Sequence, residues 1–385
     1  MQRSTALPLL FSMLLLLGVF AFVRETTTES ARSIIAACDK ESNHAFCYER
    51  EVAALYPEMP LKAIFAIVRE IRRADSGYQF CHVLAHKLGE RIVADNPDAW
   101  LDAIPLNPPD GLCSNGFMHG VIGGRFRAEV LTEDALQKLI PDFSRACEPR
   151  GSWNPSELDK AICYHGLGHL YVFLTDADIP RSLQLCKKTT SDRTQRMCLE
   201  GVFMQIYQPL EPDDFLLIER MSQKPSTTTV RTYCSQFGED QYEGACLRES
   251  WPYAREGIVA GVGIDSFCEG YPNQEQQGYC YDTAFAILGR MSLDNPGGAV
   301  RACKAVGAER RLACLTAVAQ AVLEEDRSQG ERALSLCESA PVDLRHSCAE
   351  ALVLRAEFIF GSNTREYKRF CATAGRSFDL FCTTR

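Results

Sequence analysis

Gly330-Glu-Arg-Ala-Leu-Ser-Leu-Cys337, Ser339-Ala-Pro-Val-Asp343 and Leu344-Arg-His-Ser-Cys348-Ala-Glu-Ala-Leu-Val-Leu-Arg-Ala-Glu357 together spell one structural unit. The first segment is a short helix former that ends on a cysteine. The second carries Ser, Pro and Asp, the chemistry of a turn. The third reads as a longer helix with Asp343 as its N-cap. Ala349, Leu352, Val353 and Ala356 recur there at helical spacing, so one face is apolar. Both cysteines flank the turn between two antiparallel helices, which brings their backbones within disulfide reach. Closing such a short loop is worth about 2–3 kcal/mol in the chain-entropy model.

Outward from this unit, the same grammar repeats. Cys246, Cys280, Cys314, Cys348 and Cys382 follow one another at a constant step of 34 residues. Cys234, Cys268, Cys303, Cys337 and Cys371 precede them by 11 or 12. Towards the N-terminus, Cys186 goes with Cys198, Cys147 with Cys163 and Cys38 with Cys47. A fixed period of this size is the mark of stacked supersecondary units. Two longer steps, Cys113 to Cys163 and Cys198 to Cys246, point to insertions near residues 125–160 and 208–232. Cys81 and Cys113 have no upstream partner of their own. They occupy equivalent places in adjacent repeats and are expected either to pair with each other or to serve as thiolate ligands.

Almost nothing alternates as a β-strand. The expected fold is all-α: a solenoid of about nine to ten disulfide-stapled helical hairpins. Its period and helix–turn–helix unit resemble tetratricopeptide-like arrays, and its disulfides resemble those of the cysteine-rich Sel-like branch, where the cysteines stand at a different separation. That resemblance covers residues 35–385 in architecture, without the tetratricopeptide Trp/Leu/Gly/Tyr signature. It implies a right-handed solenoid with a concave surface for a peptide or protein partner. It carries over no functional residue.

Eighteen cysteines in 385 residues mean disulfides in an oxidising compartment or metal ligands in a reducing one. The N-terminus favours export. Met1-Gln2-Arg3 is followed by an apolar run from Ala6 to Val23, as in a signal peptide or a transmembrane signal anchor. The expected product faces the extracytoplasmic side, membrane-anchored or secreted or periplasmic. The organisation read from these features is signal segment 1–24, linker 25–35, N-terminal repeats 36–205, insertion loop 206–232 and regular repeats 233–385. Net charge is −9 with no basic stripe, which argues against a nucleic-acid partner.

The chemistry-bearing residues cluster in the N-terminal repeats. Five of seven histidines lie in Cys81-His82-Val-Leu-Ala-His86-Lys-Leu-Gly-Glu90, Cys113-Ser-Asn115-Gly-Phe-Met-His119 and Cys163-Tyr-His165-Gly-Leu-Gly-His169. The next repeat continues the pattern with Cys198-Leu-Glu200-Gly-Val-Phe-Met204. Residues at i and i+4 share a helix face, so consecutive second helices present a ladder of imidazoles. Imidazole suits Zn, Cu, Fe and Ni. His82, His86, His119, His165 and His169 are therefore candidate ligands of a transition metal ion (Zn, Cu or Fe). Glu90 and Glu200 are candidates for a general base or bridging ligand in a metalloenzyme. Met204 reads as core packing. Glycines at 89, 116, 120, 166, 168 and 201 would let helices approach closely. The competing readings are a buried polar ladder without metal, a metal-free pocket for an acidic or sugar-like ligand, and a cell-envelope scaffold. No His-Glu-x-x-His, Cys-x-x-Cys-His, Walker loop or Gly-x-Ser-x-Gly is present.

Overall fold

The computed structural model describes residues 26–382 apart from 76–77, 79–80, 127–129, 294, 362–363 and 381. The apolar run at 1–24 lies outside the described residues. No described helix is long and apolar enough to cross a membrane. The described chain is helical with no strand. Its β-type pairing is a single isolated bridge between Arg150 and Trp153.

The second helices of the repeats are α1 (His44–Ala53), α2 (His82–Ala94), α3 (Gly116–Phe126), α4 (Glu157–Leu174), α5 (Asp192–Tyr207), α6 (Asp240–Glu249), α7 (Gln274–Met291), α8 (Arg311–Glu325) and α9 (Arg345–Phe360). Each packs against the next along the chain. The first helices vary in length and are amphipathic. Leu61–Ala74, for instance, buries Ile64, Phe65, Ile67, Val68 and Ile71 on one face. Several starts are capped as their sequences dictate. Ser156 and Asp159 form a reciprocal capping box on α4. Asp343 lies in a short 3-10 turn instead of capping α9, which begins at Arg345.

Nine disulfides staple the array. Seven close hairpins: Cys38–Cys47, Cys147–Cys163, Cys186–Cys198, Cys234–Cys246, Cys268–Cys280, Cys303–Cys314 and Cys337–Cys348. An eighth, Cys371–Cys382, ties the helix Arg365–Phe378 to the segment after it. The ninth, Cys81–Cys113, joins two adjacent repeats. These two sulfurs are bonded to each other, so they are not thiolate ligands.

Two expectations need correction. Residues 26–38, within and beyond the expected linker, are helical. Thr27, Ala31, Ile34 and Cys38 are buried at helical spacing, which is the reason. The 206–232 stretch is not a plain loop. It contains the helix Pro212–Glu219, with Pro212 at its first position and the Asp214 carboxylate accepting from the Leu210 and Glu211 amides. Similarly, the 125–160 insertion contains the helix Glu133–Ala146, capped by Thr132 and accommodating Pro141.

The row also returns on itself. α9 packs against α4, and Leu158 and Ile162 of α4 join the apolar core of the C-terminal repeats. Beside this contact, Arg327 is buried. Its amide donates to the Asp110 carbonyl (3.1 Å) and its guanidinium to the Pro109 carbonyl (3.0 Å), to Ser156 (3.4 Å) and to the Asp159 carboxylate. Ser114 donates to Glu325, which also faces Arg72 at 3.5 Å. Residues 325–327 thus clasp the turns that precede α3 and α4.

Candidate metal centre

Two helix pairs, α2–α3 and α4–α5, are packed more intimately than the rest, and glycine is the reason. A Cβ at Gly120 of α3 would stand 2.0 Å from the His86 carbonyl oxygen, and one at Gly168 of α4 would stand 2.1 Å from that of Cys198. Any side chain there would force the backbones apart. The close approach brings imidazoles of neighbouring helices together.

His82, His86 and His119 each offer a ring nitrogen, and these atoms all lie within 4.8 Å of one another. Nε2 of His82 and Nε2 of His86 are 3.1 Å apart. Two nitrogens bound to one tetrahedral metal at about 2.0–2.1 Å would sit at a comparable separation. His165 and His169 extend the group. Ring centroids are 5.9 Å and 5.8 Å from His119 to His165 and His169, and 4.8 Å between those two. The five imidazoles therefore form one continuous cluster centred on His119.

Hydrogen bonds fix which nitrogen of each ring is available. His82 Nδ1 donates to the Cys113 carbonyl (3.2 Å), so its lone pair is on Nε2. His119 Nε2 donates to the Ile162 carbonyl (2.8 Å), which leaves the lone pair on Nδ1. That Nδ1 is buried and has no hydrogen-bond partner among the described residues. His169 Nδ1 donates to Gln205 Oε1 (2.8 Å). One N–H given to a carbonyl with the other nitrogen facing its neighbours is how metal-ligating histidines are held. Burial keeps His82, His119 and His165 neutral. Desolvation lowers the pKa of His82 to about 4, opposed by the hydrogen bond to the Cys113 carbonyl. It also holds His119 and His165 well below the usual imidazole range, helped by the neighbouring rings. A neutral imidazole is the form that binds metal.

The carbonyl that orients His82 sits in a strained turn. Cys113, Ser114 and Asn115 are consecutive non-glycine residues with φ of 60°, 51° and 56°. Left-handed backbone costs roughly 1–2 kcal/mol per residue, so other contacts must hold it. The Cys81–Cys113 disulfide, the Ser114–Glu325 bond and an Asn107–Asn115 side-chain bond of 2.6 Å do so. Asn115 is thereby turned to Asn107, away from the ladder position its spacing suggested.

The cavity against these rings has a volume of about 40 Å³ and is also lined by Glu90, Met204, Gln205, Glu211 and Asp214. A water needs roughly 10–15 Å³ on this measure, whereas organic-ligand pockets run to hundreds. The space suits an ion with two or three waters. Glu211 Oε1 lies 4.0 Å from His86 Nδ1, the arrangement of a carboxylate supporting a ligating histidine. Glu211 and Asp214 escape a search for histidine motifs. The signal for them is Glu211-Pro-Asp-Asp214, a helix start that turns two carboxylates inward.

Glu200 stands elsewhere. Its carboxylate takes a hydrogen bond from the fully buried Arg248 (2.8 Å) and one from Arg196 (3.3 Å), and it does not line the cavity. Met204 is at the cavity wall, with its sulfur 3.1 Å from His165 Nε2. His44 and His346 are exposed, away from the cluster. Compared with family models, with curated proteins and with solved structures, the chain matches none.

Proposed function

We propose that this protein is an extracytoplasmic metal-binding protein whose centre is His82, His86 and His119. The observation that carries the reading is His119 Nδ1: a buried lone pair with no hydrogen-bond partner among the described residues, on a ring packed against the imidazoles of His82, His86 and His165. A buried polar atom left unsatisfied costs about 1–3 kcal/mol. A transition metal ion removes that cost and uses two rings already held in the ligating tautomer. The ladder without metal accounts for His82 and His86, which hydrogen-bond each other, but gives His119 Nδ1 nothing. The small cavity favours an ion over an acidic or sugar-like ligand. Nine disulfides support an oxidising compartment. On this reading the stapled hairpins form a tetratricopeptide- or Sel-like solenoid that serves as a rigid frame. For chemistry beyond binding, Glu90 lines the same cavity, as do Glu211 and Asp214, whereas Glu200 is committed to Arg248.

Metal analysis of the full chain, made in an oxidising compartment with disulfides intact, tests the proposal. About one equivalent of Zn, Cu or Fe is expected in the wild type, and its loss on His86→Asn or His119→Asn. Less than about a tenth of an equivalent after supplementation would sink it.

A further inference from the structure

The same device that builds the histidine triad is built a second time, with sulfur in place of one nitrogen. In the first copy, α2 presents His82 and His86 four residues apart. The backbone of His82 meets a glycine of α3, since a Cβ at Gly116 would lie 2.6 Å from the His82 carbonyl oxygen. Three residues after that glycine comes the third ligand, His119. In the second copy, α4 presents His165 and His169 four residues apart. Its His165 carbonyl meets a glycine of α5, with a Cβ at Gly201 only 2.0 Å away. Three residues after that glycine comes Met204. The imidazole pairs match as well, with centroids 4.6 Å apart in the first and 4.8 Å in the second.

We propose that His165, His169 and Met204 form a second metal site, adjoining the triad and selective for Cu(I). The thioether of Met204 lies 3.1 Å from Nε2 of His165. Thioether sulfur is a weak hydrogen-bond acceptor, so an N–H···S contact gains little there. A soft cation gains from both atoms. Thioether with imidazole selects Cu(I), whereas Zn favours thiolate, imidazole and carboxylate. The second ring is prepared too: His169 gives its Nδ1 proton to Gln205 Oε1 at 2.8 Å, which puts its lone pair on Nε2. Gln205 is the residue next to Met204, so one turn of α5 supplies both the ligand and the group that orients its neighbour. The inference extends the triad reading to a neighbouring group and stands or falls separately from it.

The test is anaerobic Cu(I) titration of the full chain against a chromophoric Cu(I) chelator. Ascorbate keeps the copper reduced and leaves disulfides intact. X-ray absorption of the copper-loaded protein accompanies it. Wild type is expected to show copper–sulfur scattering. Met204→Leu, which keeps the side-chain volume, should abolish that scattering and weaken one Cu(I) equivalent by at least about tenfold. His165→Gln, which spares the thioether, should weaken the same equivalent. His86→Asn, in the other site, should leave the sulfur scattering in place. Absence of sulfur scattering in the wild type overturns the proposal, as does a Met204→Leu protein that binds Cu(I) like the wild type. Sulfur-ligated copper that persists alongside an unoccupied triad would support this site while removing the first.

Discussion

His119 is the residue on which the cluster turns. It faces both histidine pairs, and its Nε2 proton is committed to Ile162. His119→Asn should therefore abolish metal binding at the triad while costing about 1 kcal/mol of stability from the lost hydrogen bond. Metal content and urea unfolding of the same preparation separate the two effects. The buried rings also set a pH dependence. In metal-free protein His82 titrates near 4 when folded and near 6.5 when unfolded. Between those values the unfolded chain binds a proton that the folded chain does not. Stability therefore falls as pH drops through that window, by at most about 1.4 kcal/mol per pH unit for this ring. His119 and His165 act in the same direction. Glu325 and Glu249 act oppositely, because burial raises them to about 7 and about 8 and their contribution is lost as pH rises. The informative quantity is the difference between proteins. The unfolding free energy of metal-free His82→Gln should depend less steeply on pH from 7 to 5 than that of the wild type. Parallel curves would contradict a neutral buried His82.

At the scale of the element, glycine decides how close the site helices come. Gly120→Ala should cost about 1–3 kcal/mol by overpacking, after any gain in helix propensity, and should loosen the metal. Gly278, exposed within α7, has nothing within 4 Å of a Cβ, so Gly278→Ala should stabilise by up to about 1 kcal/mol. Thermal unfolding of the two variants should shift in opposite directions, and shifts of one sign would refute the close-packing account. The glycines that pack the site helices, Gly120 among them, were legible beforehand, because they fall beside the cysteines and histidines of each repeat. So were the helical class and the histidine ladder, both products of local periodicity. The helix at 26–38 was not, since Thr27, Ala31, Ile34 and Cys38 form a face too sparse to stand out in a polar segment. Nor were Glu211 and Asp214. A Pro-rich insertion reads as loop until the capping role of its acidic residues is weighed against its prolines.

At the scale of the whole molecule, the return of α9 to α4 had no local signature at all. Arg327 meets Asp159 and Pro109 across 168 and 218 residues of sequence, and no periodicity connects such positions. Yet this clasp reaches the candidate metal centre. The Arg327 guanidinium holds the Pro109 carbonyl and Glu325 holds Ser114, while the turn that follows Pro109 presents the Cys113 carbonyl to His82. Arg327→Ala leaves the Asp159 carboxylate without its buried guanidinium, a change worth about 3–5 kcal/mol. The disulfides keep each hairpin helical, so far-UV circular dichroism should change little. The loss should appear instead as faster amide exchange where α4 meets α9. It should also appear as metal affinity lower by about 10–100-fold, the usual result of disturbing a group that orients a ligand. Arg327→Lys keeps the charge but not the forked donor set, and should fall between. If exchange accelerated in Arg327→Ala while metal affinity held, the clasp by Arg327 would be structural only, and the strained turn at Cys113 would be kept by the Cys81–Cys113 disulfide and the Ser114–Glu325 and Asn107–Asn115 bonds.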